Sequence, residues 1–222
     1  KMSKLTGLSL FSNVGVAEAY FKEIGVNIVL ANELLEERAR FYSEVYKDTE
    51  MIGGDITDEN IQRTIIERAK EVGVDFIIAT PPCQGMSKLG TMDPNDVRNR
   101  LIYYAVEIIR AVNPKYVLLE NVPQILNTKV VVDGKTMLIP DYLHEELDEY
   151  YNINEDPRVK AMDYGVPQMR PRCIYLLTRK DTGIVWKFPE PDEHIVTLRD
   201  ALKNIPSLDP LLREGYEETL AM

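Results

Sequence analysis

Two cysteines and two histidines are all that the 222 residues offer by way of thiol or imidazole ligands. That is too few for a disulfide framework or a four-ligand zinc site, and no metal is expected. Basic charge is also short: 26 Lys and Arg against 36 Asp and Glu leave a net charge of -10, which by itself opposes a freestanding nucleic-acid binder. No apolar run approaches the roughly 18 to 20 residues of a membrane span. The opening Lys1-Met2-Ser3-Lys4 leads into a short amphipathic strand rather than an apolar signal segment, so a cytoplasmic location is expected. What remains is an ordinary globular composition, 45% hydrophobic and 28% charged, at a length suited to one domain or slightly more.

Strand-length apolar runs alternate with helical patterns. Leu5 to Phe11 precedes Ala17, Tyr20, Phe21 and Ile24 at helical spacing; Val26 to Ala31 precedes a charged helical stretch from Glu33 to Tyr46. Met51 to Gly54 is followed by a Thr57-Asp58 cap and a helix over Glu59 to Val72, then Val74 to Ala79, a helix carrying Leu101, Ala105, Ile108, Ile109 and Val112, and a fifth strand, Lys115 to Leu119. Near-continuous apolar strands in this alternation predict a doubly wound, mostly parallel α/β sheet covered on both faces. Beyond Glu120 an Asp133-Gly134 turn predicts a hairpin, an acidic helix is expected from Asp141 to about Tyr151, and Arg158 to Ala161 with Cys173 to Thr178 are expected to form an antiparallel edge pair. The expected division is a catalytic and cofactor-binding domain over 1-187 and, over the Pro-rich 188-222, the start of a linker.

In such sheets ligands sit beyond the carboxyl ends of the strands. Phe11-Ser12-Asn13-Val14-Gly15 follows the first strand; it is glycine-poor for a phosphate loop, but Asn13 tolerates a left-handed conformation. Glu33 ends the second strand at the spacing of an acid that binds a ribose diol, and Asp55 is placed to accept from an adenine amino group with Phe11 or Ile56 against the base. Either acid alone is as readily a helix-cap residue. After the fourth strand, Pro81-Pro82 stiffens the backbone before Cys83, and Gln84 to Asn95 reads as a polar lid. A lone cysteine is usually an inert hydrophobe, which suits Cys173 in its apolar run; Cys83, after Pro-Pro at the sheet mouth and with Glu120 ending the next strand, reads as a nucleophile.

Taken in order, Phe11-Ser12-Asn13-Val14-Gly15, Glu33, Gly54-Asp55-Ile56, Pro81-Pro82-Cys83-Gln84-Gly85-Met86-Ser87, Asp96-Val97-Arg98 with Leu101, Glu120-Asn121-Val122 and Tyr164 to Arg172 resemble the DNA cytosine-5 methyltransferases over residues 5 to about 205. The resemblance implies a Rossmann-like S-adenosylmethionine-dependent fold and a methyl transfer to C5 of cytosine, with S-adenosylhomocysteine as product. Because C5 is a poor nucleophile, the Cys83 thiolate first adds to C6, giving an enamine whose C5 takes the methyl group; loss of the C5 proton, with water as one candidate base, and elimination free the cysteine. Glu120 would hold or protonate N3, Arg172 would bind O2, and Arg170 would help to fix the site. Phe11, Ser12, Asn13, Gly15, Glu33, Asp55, Ile56, Pro82 and Leu101 would line the cofactor pocket, while Gln84 and Ser87 would approach double-stranded DNA, whose target base must leave the stack.

Charge distribution answers part of the objection to DNA. From Arg158 to Lys180 there are six basic residues and one acidic, whereas Asp141 to Pro157 holds seven acids and no Lys or Arg. Two departures from the family pattern stand out. Ser9 and Asn13 occupy positions usually held by Asp and Gly. After Phe188-Pro189-Glu190-Pro191 the family's target-recognition region, Arg-rich motif and Gln-x-Gly-Asn-type motif do not follow. The expected reading is therefore the catalytic part of a methyltransferase of the restriction-modification kind, in one alternative a split enzyme completed by a basic second polypeptide, in the other a truncated chain. An RNA (tRNA) cytosine-5 methyltransferase shares the cysteine and both arginines, and a non-catalytic regulatory subunit is a third reading.

Overall fold

The computed structural model describes residues 4–82 and 100–205. Its strands are β1 (Leu5–Leu10), β2 (Val26–Glu33), β3 (Glu50–Gly53), β4 (Phe76–Ala79), β5 (Tyr116–Asn121), β6 (Lys129–Val132), β7 (Lys135–Leu138), β8 (Tyr151–Ile153), β9 (Arg158–Lys160) and β10 (Pro171–Arg179). Its helices are α1 (Glu36–Val45), α2 (Glu59–Glu71), α3 (Leu101–Val112), α4 (Ile139–Leu147) and the short α5 (Leu198–Leu202). Two compact units divide the chain, 1–159 with 172–188, and 160–171 with 189–222.

The first unit holds the sheet, in the order β3-β2-β1-β4-β5-β10-β8, parallel from β3 through β5. All four residues of β4 are buried, as a central parallel strand requires. Leu8, Leu10, Leu30, Ile77, Val117 and Leu119 turn to one face, in a core shared with residues of α2, α3 and α4. The opposite face carries the smaller cluster Val26, Ile28, Phe76 and Ile78, against which Phe21, Tyr116 and Trp186 pack. Asp58 caps α2, accepting from Asn60 N (2.7 Å) and Ile61 N (3.3 Å). Asp133 and Gly134 turn the β6–β7 hairpin at φ 50° and 75°, the paired left-handed conformations of the tight turn expected there.

Three expectations are corrected. Val16 to Gly25 is a series of turns closed by three-residue hydrogen bonds, Phe21 N to Glu18 O (3.0 Å) and Ile24 N to Phe21 O (3.2 Å) among them, and not an α-helix. Its apolar residues Val16, Tyr20 and Ile24 are 78%, 73% and 61% exposed, so the segment lacks the packed face from which a short helix draws its stability. The acidic helix ends at Leu147, and the residues that follow enter β8. The expected pair is present, β9 against β10, but its place differs: β10 lies inside the sheet, antiparallel to both β5 and β8, and β8 ends the strand order. In the second unit, Ala161 N donates to Arg170 O (3.1 Å), Asp192 N to Asp163 O (2.7 Å), and α5 begins at a Thr197–Asp200 capping box.

Glu18 is the one buried acid outside the strand ends among the described residues, 3% exposed, with Oε1 lacking a hydrogen-bond partner there. Burial pushes its pKa above the ordinary 4.5, against a weaker downward pull from the Ser9 and Tyr42 hydroxyls. The folded state therefore binds this proton more tightly than the unfolded chain, and stability falls as pH rises from the unfolded pKa to the folded one. Glu18→Gln removes the buried charge, which costs about 1 kcal/mol or more when unsatisfied. Thermal melts at pH 7.5 should show a rise of roughly 2–4 °C per kcal/mol relieved, with a flatter dependence on pH; an unchanged midpoint and slope would refute this.

Candidate active site

The loop after β1 is shaped by two left-handed residues, Phe11 (φ 58°) and Asn13 (φ 51°), before Gly15 at φ 81°. Asparagine occupies this region more readily than most side chains, which explains how Asn13 stands where a glycine is usual. Asn13 N donates to Glu33 Oε2 at 2.9 Å and Leu35 N to Glu33 Oε1 at 3.0 Å. The Glu33 carboxylate thus ties the first loop to the end of β2, and each oxygen keeps a lone pair for a ligand hydroxyl. Tyr46 donates its hydroxyl to Gly15 O, and its ring fills the space a Cβ at Gly15 would enter. Gly15→Ala combines that clash with a left-handed backbone penalty of about 1–2 kcal/mol and is expected to displace the loop; if the loop holds the cofactor proposed below, its affinity in a calorimetric titration should fall at least tenfold.

Ser12 is buried and its Oγ has no hydrogen-bond partner among the described residues. An orphaned hydroxyl in a strand-end loop, beside a carboxylate with open lone pairs, fits a ligand that carries both a polar tail and a sugar diol. Asp55 follows Gly54 (φ 130°) at the end of β3, exposed, with Oδ1 accepting from Thr57 N at 2.9 Å. It does not cap α2; Asp58 does. The Ile56 side chain is 4% exposed and belongs to the main core, so the main chain is what it offers a ligand. Phe11 and Leu101 are half-buried and pack against that core.

At the ends of β4 and β5, Pro81 is buried and Pro82 exposed. Asn121, part of the Glu120-Asn121-Val122 motif but given no role of its own from the sequence, is buried and donates Nδ2 to Pro81 O at 3.1 Å, while its Oδ1 accepts from Val122 N at 2.9 Å. This amide fixes the backbone two residues before Cys83. Cys83, Gln84 and Ser87 lie outside the described residues. Glu120 Oε1 and Arg172 Nε form an ion pair at 2.8 Å with both side chains largely sheltered. Antiparallel pairing sets Ile174 opposite Glu120, and Arg172, two residues on, shares its face, a diagonal within reach of a long side chain. Arg170 belongs to the second unit, where it is exposed. Cys173 is fully buried in β10, and burial pushes its thiol up to about 11, as suits a core residue.

A doubly wound sheet with polar loops at the ends of β1 to β3, and a Glu–Arg pair on β5 and β10, has the architecture of a Rossmann-like methyltransferase domain. Comparison with known proteins makes the class specific. The chain belongs to the C-5 cytosine-specific DNA methylase family, which it matches over residues 5–219. It is 39% identical over 218 residues to the type II methyltransferase M1.HgaI of Avibacterium volantium, covering 96% of this chain and 60% of that protein. The type II methyltransferase M1.HphI of Haemophilus parahaemolyticus is 31% identical over 215 residues, 92% of this chain and 54% of the relative. Among solved structures, a DNA modification methyltransferase encoded within an E. coli prophage superposes with a TM-score of 0.73 at 24% identity, over 92% of this chain and 56% of the other. A Spodoptera frugiperda DNMT2 variant gives 0.62 at 26% identity, covering 88% and 55%. The chain thus spans a little over half the length of the proteins it matches.

Proposed function

We propose that these residues are the catalytic and cofactor-binding part of an enzyme that methylates cytosine C5 in double-stranded DNA. The observation that carries the reading is the Glu120–Arg172 pair on the strand next to the Pro81-Pro82 turn that leads into Cys83. Glu33 holds the ribose hydroxyls of S-adenosylmethionine, Asp55 accepts from its adenine amino group, and Ser12 Oγ meets its polar tail. The bound cofactor supplies the methyl group. Cys83 adds to C6 of the extruded base, Glu120 holds or protonates N3 as charge develops there, and Arg172 binds O2 while keeping the carboxylate oriented. By the family resemblance Arg170 would help to fix the site, and Gln84 and Ser87 would approach the DNA strand. The reaction takes place on chromosomal DNA in the cytoplasm.

Sequence reading of the DNA is assigned to a region that the relatives have and these 222 residues do not, on a second polypeptide or elsewhere in a longer chain. A groove of about 410 Å³, lined by Leu5, Phe21, Val26, Phe76, Leu118 and Trp186, lies on the thinly covered sheet face. An apolar segment of the remaining region would complete that layer.

Tritiated methyl transfer from S-adenosylmethionine to mixed genomic DNA tests the reading, with the chain alone and with the product of the neighbouring reading frame added, and with tRNA as competitor. Transfer to DNA only on addition is the expected result. Transfer by the chain alone would remove the need for a partner, preference for tRNA would select the RNA enzyme, and silence under every condition would overturn the split-enzyme arrangement in favour of a truncated chain or a regulatory subunit.

A further inference from the structure

The three loops assigned to the cofactor leave three neighbouring strands, and nothing covalent fixes their spacing. One residue touches all three strand ends. Asn32, in β2, is 2% exposed. Its main-chain oxygen accepts from Ser12 N at 3.0 Å, which anchors the loop after β1. Its side-chain Nδ2 donates to Ile52 O at 2.8 Å and to Gly54 O at 3.2 Å, which anchors the end of β3. Gly54 N in turn donates to Glu33 O at 3.0 Å. Ile52 stands opposite Asn32 in the parallel register, yet Gly54 lies beyond the last paired residue, Gly53. The amide therefore extends the ladder past the point where strand pairing stops, to the residue whose φ of 130° turns the chain into Asp55. A buried amide spending its N–H groups on two carbonyls of one neighbouring strand is a specific device, because an aliphatic side chain could bond to neither.

We infer that Asn32 is a positioning residue for the cofactor site, setting the distance between the ribose acid Glu33 and the adenine acid Asp55; this rests on the cofactor reading above. Asn32 does not itself contact the ligand. Its removal lets the Gly54-Asp55 turn drift from β2, and the contribution of Asp55 to binding is lost while Glu33 stays tied by Asn13 and Leu35.

The test is a double-mutant cycle on the 222-residue chain, read as the calorimetric dissociation constant for S-adenosylhomocysteine in wild type, Asn32→Ala, Asp55→Ala and the double variant. Asn32→Ala should weaken binding about tenfold in the wild-type background and less than about twofold when Asp55 is already alanine. Independent, multiplying losses would identify a general structural role and overturn the inference, as would an unchanged dissociation constant for Asn32→Ala. Asn32→Ser, which keeps one donor and a smaller cavity, replaces alanine in the same cycle if circular dichroism shows the alanine variant unfolded. A wild-type chain that fails to bind S-adenosylhomocysteine would instead bring down the cofactor reading, and this inference with it.

Discussion

Cys83→Ser is expected to abolish methyl transfer, on the order of 10⁴-fold or more, while S-adenosylhomocysteine binds with a dissociation constant within about twofold of wild type. The asymmetry follows from what each step needs. Attack on C6 needs an anionic sulfur, a few per cent of which is present at neutral pH even without activation, whereas a serine hydroxyl is protonated there and has no evident base in this sequence to remove its proton. Binding, on the proposed assignment, would draw instead on Ser12, Asn13 and Glu33 around the ends of β1 and β2, and the substitution alters none of them. Single-turnover tritium transfer beside calorimetric titration separates the two. The buried Cys173 provides the internal control: with its thiol pushed up to about 11 it is almost wholly protonated at neutral pH, so Cys173→Ala should cost stability and leave the rate of the chemical step in place. A Cys83→Ser chain that turns over within tenfold of wild type would remove the covalent route.

The parts of this chain that were legible in sequence are those whose signal is local. Val74 to Ala79, an apolar run before Thr80 and two prolines, reads as a buried strand, and Phe76–Ala79 is one. Asp58 before a helical pattern and Asp133-Gly134 between two short apolar runs carry their capping and turn chemistry in their own side chains and φ preferences. Periodicity misled where packing decides: Ala17, Tyr20, Phe21 and Ile24 have helical spacing, but with Tyr20 and Ile24 exposed no contact favours a helix over successive turns. The long-range placement of β10 within the sheet was not legible. That β10 enters between β5 and β8 follows from pairing Cys173 with Asn121 across 52 positions of sequence, and nothing near either residue announces it. The bonding roles of Asn32 and Asn121 were not legible for the same reason, since an amide's role depends on which carbonyls other strands bring to it. The candidate site was read residue by residue from the strand ends, whereas the bonds that hold it in shape had to come from the register.

Glu120→Gln is expected to slow methyl transfer by about 10² to 10³-fold without weakening cofactor binding. Glutamine keeps the length and one acceptor oxygen, but it can neither carry the charge that answers the Arg172 guanidinium at 2.8 Å nor pass a proton to N3. The residues proposed to hold the cofactor lie at the ends of β1 to β3, with β4 between them and β5, so the loss should belong to kcat and not to the Michaelis constant for S-adenosylmethionine. Arg172→Ala should produce a loss of similar size through the other half of the pair, and Arg172→Lys should restore little of it, because an ammonium lacks the planar fork that engages a carboxylate and a base oxygen together. If the two side chains act as one unit, Glu120→Gln in an Arg172→Ala background should cost less than about tenfold further, a strongly non-additive cycle. Fully multiplicative losses would mean that the ion pair is structural and that each residue works separately. A Glu120→Gln chain at full rate would go further and remove Glu120 from the chemistry, leaving Cys83 to break the aromaticity of the base with no protein group to stabilise the charge that develops on the ring.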